Sequence, residues 1–358
     1  MNSISISKPF IGDEEKNAVM EVLNSGMLAM GPKTSQFESE FAKMCGVNHA
    51  IAVSSGTTAL HIALLANGIG PGDEVITTPF TFIASTNAIL YTGATPVFVD
   101  IKEDTYNIDL KEVEKAITSR TKAILPVHLY GQLCDIDKLL LIAENHNLRI
   151  IEDACQAVMA AYKGRRAGSF GTGTFSFYAT KNMMSGEGGM ITSNDDEVAE
   201  ACRMIRNHGM KRRYYHDMVG YNFRMMDMQA AIGLEQLKRL PTFTEKRRRN
   251  AAYFNAKIES VDTPQEKPNY DHVWHQYTIR INSGRGRDAA VKQLNEAGIG
   301  TGIYYPVPNH KQDYIRKLVG DISLPVTEKM SQEVLSLPVH PLVSQEDLET
   351  IVAEVNKL

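Results

Sequence analysis

Three short segments carry residue types that can do chemistry together. Ser54-Ser55-Gly56-Thr57-Thr58 lies between an apolar run and an amphipathic stretch. A helix starting there presents free amides and the positive end of its dipole, and glycine lets an anion approach the backbone. The segment reads equally as a phosphate cup or as a plain N-cap. Ile150-Ile151-Glu152-Asp153-Ala154 runs an apolar strand into two carboxylates. Ligands of open parallel sheets sit at strand carboxyl ends, so an acid there can face a ligand cation; it serves equally as a cap for the next segment. Thr174-Phe-Ser176-Phe-Tyr-Ala-Thr180-Lys181 ends a strand at a hydroxyl and then a lysine, before the glycine-rich turn Ser185-Gly-Glu-Gly-Gly189. A lysine attacks a carbonyl only when neutral, which needs a depressed pKa; a lone lysine is usually a surface residue.

The three together say more than each alone. Lys181 follows Asp153 by 28 residues. Pyridoxal phosphate (PLP) needs a phosphate cradle, a carboxylate for its pyridinium nitrogen and a lysine for its aldehyde. The order along the chain is that of the aspartate-aminotransferase fold.

Further segments fit the same pattern: Gly70-Pro-Gly-Asp-Glu-Val75, Phe80-Thr-Phe82, Asp104-Thr-Tyr-Asn-Ile-Asp109, Val127-His-Leu-Tyr-Gly-Gln132, Glu152-Asp-Ala-Cys-Gln156 and Gly220-Tyr-Asn-Phe-Arg224 with Gln229-Ala-Ala231. With Ser55-Gly-Thr-Thr-Ala59 and Phe175–Lys181 they make the chain resemble the DegT/StrS family of PLP-dependent nucleotide-sugar aminotransferases over essentially its whole length. The resemblance implies that Lys181 holds PLP covalently and then shuttles a proton. It implies that Asp153 pairs with the pyridinium nitrogen, that Gln156 lies near the ring hydroxyl and that Phe82 packs on a ring face. Gly56, Thr57 and Ser176 would bind the phosphate, joined by Asn222 from the neighbouring subunit of a homodimer. Tyr305 and His310 would lie near the sugar or diphosphate. From the residues alone, Phe82 reads as core and Gln156 as a helix-face amide.

The implied reaction is a two-stage exchange. L-glutamate would give up its amino group and leave as 2-oxoglutarate, and the amine would pass to a ketone on a nucleotide-linked sugar (UDP, GDP or dTDP), at C4 or else C3. Some relatives that dehydrate or deoxygenate sugars carry histidine at the lysine position, so Lys181 favours transamination over a PLP-dependent sugar dehydratase. A non-catalytic PLP-fold sensor is the other reading, opposed by the joint presence of Lys181, Asp153 and Ser176.

Other motifs fall short. Gly26-Met-Leu-Ala-Met-Gly31-Pro-Lys33-Thr34 approaches a P-loop, but Pro32 shifts the lysine and removes an amide, and no strand precedes it. Gly284-Arg-Gly286-Arg-Asp-Ala289 fits a dinucleotide turn without its downstream acid, which argues against a Rossmann oxidoreductase. Lys211-Arg-Arg213 and Lys246-Arg-Arg-Arg249 read as solvated faces, the first with a diphosphate contact left open. Cys45, Cys134, Cys155 and Cys202 form no CxxC pair, so no disulfide framework and no metal site is expected; Cys155, beside two acids, reads as a small buried filler.

These residues need a scaffold. The 358 residues carry Lys+Arg 38 against Asp+Glu 42, a net charge of −4, with 43% hydrophobic residues. That excludes disorder and gives no footprint for nucleic acid. No signal peptide or membrane span is read, so a cytoplasmic location is expected. Short apolar strands at 50–53, 74–77, 96–99, 123–127 and 149–151 alternate with helical patterns at 57–66, 110–117 and 136–145, and 13–25 is a helix capped by Gly26. A hairpin is expected within 173–193. Helices over 227–240 and 242–258 would break at Pro241; a β-α-β run at 274–281, 288–296 and 300–305 would follow, then helices at 327–336 and 345–356. The expected fold is α/β, the aspartate-aminotransferase fold (PLP fold type I), with a mainly parallel central sheet. A large domain over 1–245 would carry the cofactor, and 246–358 would form a smaller α/β domain.

Overall fold

Alternate side chains of a strand point to opposite faces, so an apolar run without alternation needs cover on both sides. The strand Arg149–Asp153 meets that need: Ile150 enters one core with Ile76, Ile124 and Phe175, and Ile151 enters another with Ile51, Val75 and Ile191. The computed structural model describes residues 3–282, 284 and 286–358, so Arg285 of the dinucleotide-like turn lies outside the described residues, as do Met1 and Asn2.

Seven strands form the central sheet in the order His49–Val53, Gly189–Ser193, Thr172–Ser176, Arg149–Asp153, Thr121–Leu125, Glu74–Thr77, Thr95–Phe98. The last five pair in parallel. Gly189–Ser193 runs antiparallel to both neighbours and completes the hairpin expected within 173–193. The strands 49–53, 149–153 and 172–176 therefore end at one edge. The expected helices form as Gly56–Ala66, Leu110–Ala116 and Ile136–His146. Periodicity did not single out Pro32–Cys45, Ile83–Tyr91 or Asp196–Arg206.

Three expectations are corrected. Pro241 does not break the chain: one helix runs over Asp227–Lys257, 31 residues long. Pro241 faces solvent, while Leu240, Phe243 and Thr244 on its other side are buried, so packing holds the helix across the missing amide. The partner of strand Tyr277–Arg280 is Val334–Leu337, antiparallel, and the helix before it ends at Glu333. The segment 300–305 contributes only the bridge between Gly302 and Ser336, because the Tyr130 hydroxyl, from the large sheet's side, donates to the Tyr304 carbonyl and draws the chain across.

A third core gathers Ala251, Phe254, Trp274, Tyr277, Ile299, Leu335 and Ile351, with Ile4 packed against it. The long helix thus serves two cores, since its earlier residues Leu234 and Leu240 belong to the first. The division expected at 245/246 falls inside that helix, and the N-terminal Ile4 joins the C-terminal core. Among the described residues no helix is long and apolar enough to cross a membrane, and no cluster of three or more His, Cys, Asp or Glu could hold a metal ion.

Candidate active site

The strand edge gathers the predicted residues. Asp153 closes its strand and is 5% exposed. Its Oδ2 accepts from Ser85 Oγ at 2.7 Å, and Ser85 is itself 3.0 Å from Thr81 Oγ1. Its Oδ1 accepts from the Cys155 amide at 3.2 Å, as the capping reading expects. Carboxylate oxygens have about four lone-pair sites, so with two donors in place capacity remains for a further one or two.

Lys181 lies close enough to Asp153 for that carboxylate's charge to act on it. Desolvation by the surrounding protein pushes its ammonium below the usual lysine range, against the pull of Asp153. It keeps some solvent contact through the cleft, and among the described residues no carboxylate comes within salt-bridge distance of it. A lysine that readily sheds its proton is one that can act on a carbonyl. The neighbouring Cys155 thiol is pushed up, by burial first and then by Asp153, so it stays protonated. Cys155 is only half-buried, whereas Cys45, Cys134 and Cys202 are buried.

The phosphate end is a matter of close approach. Ser55 caps the helix Gly56–Ala66 by accepting from the Thr58 amide at 3.1 Å, leaving the Gly56 and Thr57 amides without a partner among the described residues. A Cβ on Gly56 would meet Ser176 Cβ at 2.7 Å and Cys155 Sγ at 3.1 Å. The glycine therefore lets the helix start sit directly on the strand end that carries Ser176. Gly189, from the glycine-rich turn, presses on the same cap: a Cβ there would lie 2.3 Å from the Ser55 carbonyl oxygen.

Gln156 bridges inward and outward. Its Oε1 accepts from the Tyr130 amide at 2.8 Å, and its Nε2 donates to the Tyr305 hydroxyl at 3.1 Å. Burial, then the charge of Asp153, pushes the Tyr305 phenol up, which keeps it neutral. Phe82 is 57% exposed, with its ring centroid 6.3 Å from that of Tyr305, so it is a bare cleft wall and not a core residue. Asn222 is exposed on a segment tied to the phosphate loop: the Ser54 amide donates to the Phe223 carbonyl at 2.9 Å.

His310 is different. Its side chain is fully buried, its Nε2 is 3.1 Å from Glu328 Oε1, and its ring faces Phe98 at 6.4 Å. The expected sugar or diphosphate contact is not available to a ring with no free surface; His310 anchors the loop that presents Tyr305. Asn309 fastens the same loop, donating to Thr86 Oγ1 at 2.9 Å. Sequence reasoning missed Ser85, Thr81 and Tyr130. The only signal for the first two was their spacing of four, which puts both hydroxyls on one side of a helix start.

The rejected motifs are explained too. The P-loop-like segment starts the helix Pro32–Cys45, but Asp227 already occupies that N-terminus, accepting from the amides of Gly31, Lys33 and Thr34 at 2.8, 3.1 and 2.9 Å. Lys211–Arg213 belongs to an exposed hairpin, with Arg212 lying 3.6 Å above the Tyr215 ring. In the run Lys246–Arg249 the solvated-face reading fails at Arg247, which is 5% exposed.

Comparison with known proteins supplies the decisive observation: the model of the DegT/DnrJ/EryC1/StrS aminotransferase family matches residues 9–356. The chain belongs to that family. Among its relatives, GDP-perosamine synthase of Caulobacter vibrioides is 42% identical, covering 99% of this chain and 98% of that one. UDP-N-acetyl-3-dehydro-alpha-D-glucosamine 3-aminotransferase of Acidithiobacillus ferrooxidans is 40% identical, covering 96% and 94%. DesV of S. venezuelae, solved with a ketimine intermediate, superposes with a TM-score of 0.92 at 41% identity over 96% and 94% of the two chains. Further solved neighbours at 28% and 34% identity hold PLP and its amine form PMP. The protein is a PLP-dependent aminotransferase of fold type I, and its cleft fits that cofactor. Two unpartnered amides and Ser176 suit the phosphate, Asp153 has a free acceptor site for the ring nitrogen, and Lys181 is desolvated.

Proposed function

We propose that this enzyme moves the amino group of L-glutamate to a ketone of a nucleotide-linked sugar, C4 foremost and C3 as the alternative. It would release 2-oxoglutarate and a nucleotide amino sugar for glycan or natural-product biosynthesis, working in the cytoplasm as a homodimer with shared active sites. The names of the perosamine synthase and the 3-aminotransferase support the substrate class. The observation that carries the reading is the convergence of Lys181, Asp153 and the open Gly56–Thr57 amides at one strand edge.

Bound PLP supplies an aldehyde that exchanges the amino group and a ring that takes up electrons from the reacting carbon. The Gly56 and Thr57 amides and the Ser176 hydroxyl would hold the phosphate, joined by Asn222 from the neighbouring subunit. Asp153 keeps the ring nitrogen protonated, and Ser85 with the Cys155 amide fixes its carboxylate in place. Gln156, held by the Tyr130 amide, would lie near the ring hydroxyl, and Phe82 would pack on a ring face. Lys181 Nζ, disposed by burial to lose its proton, takes a proton from the reacting carbon and returns it. Tyr305 stands at the sugar side of the cleft.

The test loads the enzyme with PMP, screens nucleotide keto sugars and follows the return of the visible PLP absorbance. If glutamate reacts with the PLP form but no keto sugar reacts with the PMP form, the substrate class is wrong.

A further inference from the structure

Behind Lys181 lies a narrow cavity of about 20 Å³, lined among others by Lys8, Phe10, Lys181, Asn182, Phe243 and Arg247. Among the described residues no Asp or Glu lines it, yet three cationic side chains do. Arg247 is 5% exposed. Its Nη1 donates to the carbonyls of Trp274 and His275 at 3.1 and 3.2 Å, and its Nε is buried with no partner. Among the described residues, no carboxylate stands within salt-bridge distance of Arg247 or of Lys8. A buried guanidinium without a counter-charge costs stability, and burial pulls its pKa down to about 10. The small molecule best suited to remove that cost is a carboxylate, which matches the guanidinium fork. The open space is about that of one water molecule, so a carboxylate end enters only as the exposed Lys8 side chain gives way, and a diphosphate is excluded.

We propose that Arg247, assisted by Lys8, binds a carboxylate of the dicarboxylic amino donor here, leaving the donor's amine beside Lys181. The proposal rests on the glutamate reading and names the residues that recognise it. Asn182 frames the site, its Nδ2 donating to the Val273 carbonyl at 3.0 Å and its Oδ1 lying 3.1 Å from His275 Nδ1.

The test uses holoenzyme and separates the two half-reactions. Arg247→Gln is expected to weaken glutarate and 2-oxoglutarate binding, and to slow the glutamate half-reaction, at least about tenfold, the loss expected for one charge-assisted hydrogen bond. The PMP form of the variant is expected to react with keto sugar at close to the parent rate. Lys8→Ala, at an exposed position, should weaken glutarate in the same direction without threatening the fold. Equal slowing of both half-reactions in Arg247→Gln, with unchanged glutarate binding in Lys8→Ala, overturns the proposal and marks Arg247 as structural. If the parent binds glutarate through Arg247 but does not react with glutamate, the carboxylate site stands and the glutamate reading falls. If the parent binds no glutarate, the site itself is refuted.

Discussion

Gly56→Ala tests the phosphate cradle most directly. The added methyl carbon would lie 2.7 Å from Ser176 Cβ, 3.1 Å from Cys155 Sγ and 3.2 Å from Ser176 Oγ. None of the three is the far end of a long side chain, so the helix start must retreat from the strand. Overpacking of this kind costs about 1–3 kcal/mol, or roughly 1–4 °C of thermal midpoint in a chain of this size. The retreat also moves the Gly56 and Thr57 amides from the phosphate. Losing one charge-assisted hydrogen bond costs about 1.5–3 kcal/mol, which predicts PLP dissociating about 10- to 150-fold more readily. The assay is a PLP titration followed in the visible band, beside thermal unfolding of the cofactor-free protein. Adding Ser176→Gly should restore much of the lost stability, because the 2.7 Å clash disappears, but not the affinity, because the hydroxyl goes too. A Gly56→Ala enzyme that held PLP within about threefold of the parent would show that the helix start is only a cap.

Lys181→Met should remove the visible band of the lysine-linked cofactor and also stabilise the cofactor-free protein near pH 7. The native state depresses this lysine below 10.5, so the unfolded chain binds more protons in between, and the parent gains stability as pH rises toward 10.5. The variant's advantage must shrink over that window; an advantage constant with pH would rule out desolvated Lys181 as its source. Asn222→Ala should weaken PLP retention in the dimer while leaving subunit folding intact, and unchanged retention by an intact dimer would remove Asn222 from the site. Asp227→Ala strips the start of helix Pro32–Cys45 of its buried acceptor and should cost about 2 kcal/mol or more in urea unfolding. A loss below about 0.5 kcal/mol would mean that water caps that helix equally well.

The candidate cofactor residues could be singled out in the sequence because their signals are local. A glycine at a helix start, an acid at a strand end and a lysine after the next strand each depend on a few neighbouring residues and on a parallel sheet that aligns the strand ends. Four of the five parallel strands were legible for the same reason, a short apolar run between helices needing cover on both faces, while Thr172–Ser176 was expected only as part of a hairpin. Pairing across the chain was not legible. The strand Val334–Leu337 continued a helical pattern, and only its antiparallel fit to Tyr277–Arg280 made it a strand. Pro241 looked like a break because intrinsic propensity is local, whereas burial of Leu240 and Phe243 is tertiary.

The same division runs through the site. Sequence singled out Lys181, Asp153, Gly56 and Ser176 as candidates, residue type and order pointing to a PLP site and the family resemblance implying each role. Tertiary structure decided what surrounds them. It placed Ser85 on Asp153, buried the His310 ring against Glu328, and turned Arg247 from a charged surface run into an interior cation without a counter-charge. Residue type sets which charge a group can carry; only the packed surroundings decide what that charge costs and which partner it meets.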